Sequence, residues 1–167
     1  MSPESLLDDT QAEKQEVKGY FETTGFERWN RIYSETDDVN KVQRNIRIGH
    51  LKTVNEVLSW IKESGELSDV SFCDAGCGVG SLSLPLAEMG AGSISASDIS
   101  KAMANEAQRR AEEAGLNMSK LNFFASDLES LSGSFHTVCA AWMCSFTIHN
   151  QQPRRWFAIS AASPSKG

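Results

Sequence analysis

Between residues 39 and 63 the apolar positions Val42, Ile46, Val54, Val57, Leu58 and Ile61 recur three or four apart, a spacing that lines side chains along one helical face. This predicts one amphipathic helix or two abutting ones, stopped by Gly65 as a C-terminal cap. Upstream, residues 8–21 are polar with a weak amphipathic pattern. Residues 23–38 mix aromatic with charged side chains, and the two stretches together read as a helical arm. Beyond Gly65 the pattern alternates. Residues 70–74 (VSFCD) form a short apolar strand, 76–80 a glycine turn, 81–89 a helix and 92–98 (GSISASD) a second strand. Residues 101–114 are strong helix formers with Ser100 as N-cap and Gly115 as stop, followed by strands at 121–125 and 135–141. Strands separated by helices imply right-handed crossovers and a parallel sheet. No internal repeat or low-complexity tract interrupts the order.

The glycine turn carries the sharpest chemical signal. In Asp74-Ala75-Gly76-Cys77-Gly78-Val79-Gly80, glycines at alternate positions permit backbone conformations closed to other residues and let a ligand approach the main chain. A dinucleotide fingerprint would place its third glycine where Ser81 stands, so the spacing suits a ligand without a pyrophosphate, or a tight turn with no ligand at all. Asp98 ends the second strand, where an acid accepts hydrogen bonds from ribose hydroxyls or else caps the next helix. Asp127 follows the third strand and either accepts from an adenine amino group or closes a loop. Three acids at the carboxyl ends of successive strands beside a glycine turn favour one adenosine-binding crevice.

Composition narrows the partners. The 167 residues are 40% hydrophobic and 23% charged with a net charge of −6, which suits one globular domain and argues against a nucleic-acid binder. No apolar run reaches the roughly 20 residues of a membrane span, and residues 1–9 have neither the basic start nor the apolar stretch of a targeting signal. Cys73, Cys77, Cys139 and Cys144 lack zinc-knuckle spacing, so reduced thiols and no metal site are expected.

These motifs resemble the S-adenosylmethionine-dependent methyltransferases: DAGCGVG matches the glycine motif, SASD the ribose-binding strand end and ASDL the adenine-side loop. The arm YFETTGFERWNRIYSETDDVNKVQRNIRIGH, the core DAGCGVGSLSLPLAEMGA, the helix EAQRRAEEAG and the segment SDLESLSGSFHTVC together resemble the magnesium protoporphyrin IX O-methyltransferases of chlorophyll biosynthesis, over roughly residues 17–139. The resemblance implies an α/β, doubly wound, mostly parallel sheet of the class I methyltransferase (Rossmann-like) type, incomplete at the C-terminus. It divides the chain into an arm and cap (1–66), the S-adenosylmethionine-binding half (67–139) and a tail (140–167). Asp74, Gly76, Gly78 and Gly80 would contact the methionine moiety, Asp98 the ribose and Asp127 the adenine. Tyr33 would be a catalytic or substrate-contacting residue on the arm, or an aromatic that packs it. The implied reaction methylates a propionate of magnesium protoporphyrin IX. The implied surroundings are the chloroplast, with the presequence absent from this chain, or the cytoplasm of a photosynthetic bacterium, with magnesium chelatase as a partner and peripheral membrane association. The rival readings are a non-catalytic fragment that binds the cofactor or a partner and, more weakly, a nicotinamide oxidoreductase.

Beyond Cys139 the family continues along C-L-D-V-L-I-H-Y-P, whereas this chain reads AAWMCSFTIH. Trp142 and Met143 have single codons, TGG and ATG. Read one base earlier, they yield Asp-Val without choice, and free third bases allow Cys-Leu before and Leu-Ile-His-Tyr-Pro after. All acidic residues precede Cys139, while the segment after it carries Arg154, Arg155 and Lys166. The expectation is therefore an out-of-frame tail followed by early termination, in which His149 is not the family's histidine, and a 167-residue product without appreciable turnover.

Overall fold

The computed structural model describes residues 3–140 apart from 35, 37 and 134, and side chains from residue 11 onward except those of Val138 and Ala140. The expectations for the tail lie outside the described residues. Three helices lead: α1 (Pro3–Glu22), α2 (Thr24–Ile32) and α3 (Lys41–Glu63). The alternating part follows as β1 (Ser71–Ala75), α4 (Ser83–Glu88), β2 (Ser93–Asp98), α5 (Lys101–Glu113), β3 (Leu121–Ala125) and β4 (Thr137–Ala140), with 3-10 turns at Met118–Lys120 and Leu128–Ser130.

Local chemistry explains the element ends. Asn40 opens α3 with a reciprocal capping box, its side chain accepting from the Gln43 amide while the Gln43 side chain accepts from the Asn40 amide. Ser100 caps α5 by accepting from the Met103 amide, as its position predicts. The stretch predicted as a helix over 81–89 forms only six helical residues, because the turn before it consumes Ser81 and Leu82. Val42, on the predicted apolar stripe of α3, is 66% exposed; the inward stripe instead runs through Ile46, His50, Val54 and Val57.

The four strands are parallel in the order β3-β2-β1-β4, with Phe72 opposite Ile94 and Thr137, and Ile94 opposite Leu121. The chain winds outward from β1 to β3 and then returns to the other side of β1. Successive crossovers thus diverge beside the carboxyl end of β1, where such sheets open a crevice. The main core joins Phe72, Leu86, Ile94 and Leu121 to the small face of α5, where Ala107 and Ala111 are fully buried and let the helix lie close to the sheet. Burying Phe72 or Leu86 contributes about 1.5–3 kcal/mol each. A second cluster, Trp29, Ile32, Val79 and Met103, docks the arm on the glycine turn and on α5. That docking sets the arm over the crevice.

Candidate functional site

A cavity of about 420 Å³ lies at the carboxyl ends of β1, β2 and β3, roofed by residues of α1, α2 and α3. Its volume falls in the range of small-molecule sites. The glycine turn forms its floor. Gly76, Gly78 and Gly80 have φ of 86°, 53° and 87°, left-handed values that β-carbons disfavour. The Gly76 and Cys77 amides both donate to the Ser97 carbonyl, at 2.7 and 2.8 Å, which locks the turn to β2.

The three glycines divide in role. Gly76 and Gly78 line the cavity, and a β-carbon at Gly78 would meet nothing within 4 Å, so open space lies beside it. Gly80 sits among packing neighbours. It is not among the lining residues, and a β-carbon there would run into Leu84 Cδ1 and stand 3.3 Å from Ala107 Cβ. Its absent side chain lets the turn and α5 pack.

Asp74 and Asp98 give the site its polarity. Asp74 is buried and accepts from the Ser83 hydroxyl through Oδ2, while Oδ1 has no hydrogen-bond partner. Burial, with a contribution from the charge of Asp98, pushes its carboxyl up to about 6, against the lowering effect of the Ser83 bond. An orphaned carboxylate oxygen beside a cavity is unfavourable unless a cationic or hydrogen-donating ligand completes it. Asp98 accepts from the Gly78 amide through Oδ2 and from the Ser100 amide through Oδ1, each at 2.9 Å. A carboxylate has about four acceptor positions, so two remain for a diol. Burial raises the Asp98 carboxyl, and the two amides counter the shift. The alternative role of Asp98 as helix cap belongs to Ser100 instead.

Asp127 lines the cavity and also caps the 3-10 turn, accepting from the Ser130 amide at 2.7 Å. The Ser130 side chain, and after it the Ser130 amide, hold the Asp127 carboxyl below the usual range. Oδ1 thus closes the turn, the loop reading of this residue, and the carboxyl also borders the cavity. The loop is tied to β2 by the Ser126 amide on the Asp98 carbonyl and to the arm by the Lys14–Glu129 ion pair.

Tyr33 stands at the C-terminal end of α2, lines the cavity, stacks on Trp29 at 5.6 Å between centroids and tilts against His50 at 4.5 Å. His50 was not singled out by the sequence reading. It is buried on α3, and burial lowers its imidazole to about 4, so it is neutral at neutral pH. The signal was present: His50 fills the gap between Ile46 and Val54 in the apolar stripe, four residues from each. Cys77 lines the floor, and burial pushes its thiol far up, which makes it an inert wall. Among the described residues no group of three His, Cys, Asp or Glu side chains could hold a metal ion, and no helix is long and apolar enough to cross a membrane.

The chain is 50% identical over 126 residues to the chloroplastic magnesium protoporphyrin IX methyltransferase of Arabidopsis thaliana, covering 75% of this chain and 40% of that protein. It is 47% identical over 134 residues to the magnesium-protoporphyrin O-methyltransferase of Synechocystis, covering 80% of this chain and 56% of that one. The chain therefore spans about half the length of these curated relatives. The crystal structure of the Synechocystis magnesium protoporphyrin IX methyltransferase with bound SAH superposes with a TM-score of 0.72 at 46% identity, over 76% of this chain and 57% of that chain. The model of the methyltransferase-domain family matches residues 72–162, more than half of the sequence, and the chain belongs to that family.

Proposed function

We propose that this chain is the cofactor-binding half of an S-adenosylmethionine-dependent O-methyltransferase that esterifies a propionate of magnesium protoporphyrin IX in chlorophyll biosynthesis. The observation that carries the reading is the cavity-facing set of Asp74, Gly78 and Asp98 at the ends of adjacent strands, in a chain about half identical to proteins named for that reaction. S-adenosylmethionine supplies the methyl group on a sulfonium, a good leaving group.

The residues divide the work as follows. Asp74 offers its orphaned oxygen to the cationic methionine end, Gly76 and Gly78 give that end room, Asp98 takes the ribose hydroxyls and Asp127 the adenine amino group. A substrate carboxylate is already ionised at neutral pH, so no strong base is required of the protein. What the protein contributes is alignment of the carboxylate oxygen with the methyl carbon in a space emptied of water. Tyr33, with Trp29 and neutral His50 beside it, forms the wall against which a flat macrocycle would lie. The proposed setting is the chloroplast or the cytoplasm of a photosynthetic bacterium, and magnesium chelatase is the proposed partner in substrate supply.

The tail from residue 140 is proposed to be out of frame, so turnover belongs to the form that carries the family's continuation. The test expresses the 167-residue chain beside a form with the frame restored after Cys139 and the downstream sequence read through from genomic DNA. Both receive methyl-labelled S-adenosylmethionine and magnesium protoporphyrin IX. Monomethyl ester from the restored form alone supports the reading. Equal turnover by both overturns the out-of-frame tail, and ester from neither overturns the substrate.

A further inference from the structure

The last turn of α2 ends in carbonyls that a helix cannot satisfy internally, and two guanidinium groups from different elements meet them. Arg47, on α3, donates from Nε to the Ile32 carbonyl at 2.6 Å, from Nη2 to the Arg31 carbonyl at 3.1 Å and from Nη1 to the Thr36 carbonyl at 2.9 Å. Arg110, on α5, donates from Nη1 to the Tyr33 carbonyl at 3.1 Å and from Nη2 to the Asn30 side-chain oxygen at 2.6 Å. Arg110 is itself fixed, because its Nε donates to Glu106 at 2.9 Å, and Glu106 is buried and also gripped by Arg109 through both oxygens. The effect is a chain of charge-assisted bonds from the body of the domain to the backbone of Tyr33.

We propose that Arg47 and Arg110 are positioning residues: they clamp the end of α2 from two sides and thereby hold the Tyr33 ring in register with the cavity. The role of that ring rests on the methyltransferase reading above. The clamp uses what only arginine offers, several donors in a rigid plane that reach separate acceptors at once. Two cations at the end of a helix also complement its dipole. Without them the end of α2 keeps its apolar anchor, Ile32, but loses the bonds that fix the rotation and height of the next residue, Tyr33. An error of about an ångström in a substrate-aligning side chain can cost on the order of a hundredfold in rate.

The chain has only two tyrosines, Tyr20 and Tyr33, so labelling with 3-fluorotyrosine gives two fluorine resonances, which Tyr33→Phe assigns. Ring current from Trp29 makes the Tyr33 resonance a reporter of placement, and Tyr20 serves as the internal control. In Arg110→Lys and Arg47→Lys, which keep the charge but lose the fork, the Tyr33 resonance moves toward that of free fluorotyrosine while Tyr20 stays in place. A Tyr33 resonance unmoved in both variants overturns the proposal. In the read-through form the same substitutions lower kcat by about ten- to a hundredfold with KM nearly unchanged. They add no further loss to Tyr33→Phe. Additive losses, or full turnover in both variants, overturn the proposal alone; absence of turnover in the unaltered read-through form overturns the methyltransferase reading and with it the role in catalysis, whatever the resonances show.

Discussion

Replacing Asp98 by Asn keeps the shape of the strand end and removes one of the two acceptor oxygens. In the structure those oxygens receive the amides of Gly78 and Ser100, so one amide of the pair would face the new amide's N–H group. Loss of a hydrogen bond to a charged group costs about 1.5–3 kcal/mol, and the variant also forfeits one of the two positions left for a ribose diol. Burial already disfavours the charged Asp98 carboxylate, so relief of that penalty offsets part of the folding cost, which stays within the margin of roughly 5–15 kcal/mol for a typical domain. The binding cost is that of the lost bond, about 1.5–3 kcal/mol, and corresponds to roughly 10- to 150-fold weaker affinity. Equilibrium dialysis with tritiated S-adenosylmethionine measures the affinity, and a thermal melt of the same sample measures the fold. Asp98→Ala, which removes both acceptors, should bind at least as weakly. If Asp98→Asn melts lower yet binds within twofold of the unaltered chain, Asp98 only closes the turn and the ribose assignment is wrong.

The remaining predictions concern the neighbours. Asp74 has its carboxyl raised from 3.8 to about 6, so its favourable contribution to stability is present below 3.8 and lost as pH rises through 6. Asp74→Asn should accordingly melt higher at pH 7, by a gain of at most about 3 kcal/mol that vanishes toward pH 4, while losing cofactor affinity; a lower melt at pH 7 would contradict this. His50, lowered from 6.5 to about 4, works in the opposite sense: its contribution is present above 6.5 and lost as pH falls toward 4. Calorimetric melts of His50→Gln should lose that acid-side decline, and an unchanged profile would show that the imidazole is not buried as described. Gly80→Ala should lower the melt more than Gly78→Ala, because to the left-handed strain it adds a β-carbon that crowds Ala107 and displaces the Leu84 side chain. Gly78→Ala should cost only the roughly 1–2 kcal/mol of a left-handed residue yet weaken binding, since Gly78 lines the cavity and its β-carbon would occupy open space. The reverse order of the two melts would refute the division of roles.

The alternating half of the fold was legible because its elements are bounded by residues with one mechanical reading. Ser100 and Gly115 bracket α5, and the left-handed φ of 68° at Gly115 is what a helix stop requires. The β3 strand matches its expected limits, and the others fall within two residues of theirs. The arm was read only as helical, since its stability comes from docking rather than periodicity: Trp29 and Ile32 are buried against Val79 and Met103, residues far away in sequence. The same distance hides the arginine clamp, whereas His50 shows locally, as the polar residue that fills the apolar stripe of α3 between Ile46 and Val54. Gly80 poses a related problem. A glycine needed for close packing and one needed for a ligand look identical in sequence, and only the neighbouring Leu84 and Ala107 tell them apart.

What the crevice binds decides between a methyltransferase and a nicotinamide-dependent fold. Titration calorimetry of the 167-residue chain with S-adenosylhomocysteine, and separately with NAD, asks that question without requiring turnover. One molecule of S-adenosylhomocysteine should bind per chain, with affinity that falls in Asp98→Asn, and NAD should give no measurable heat. A chain that melts cooperatively but ignores S-adenosylhomocysteine, or prefers NAD, would contradict the methyltransferase reading.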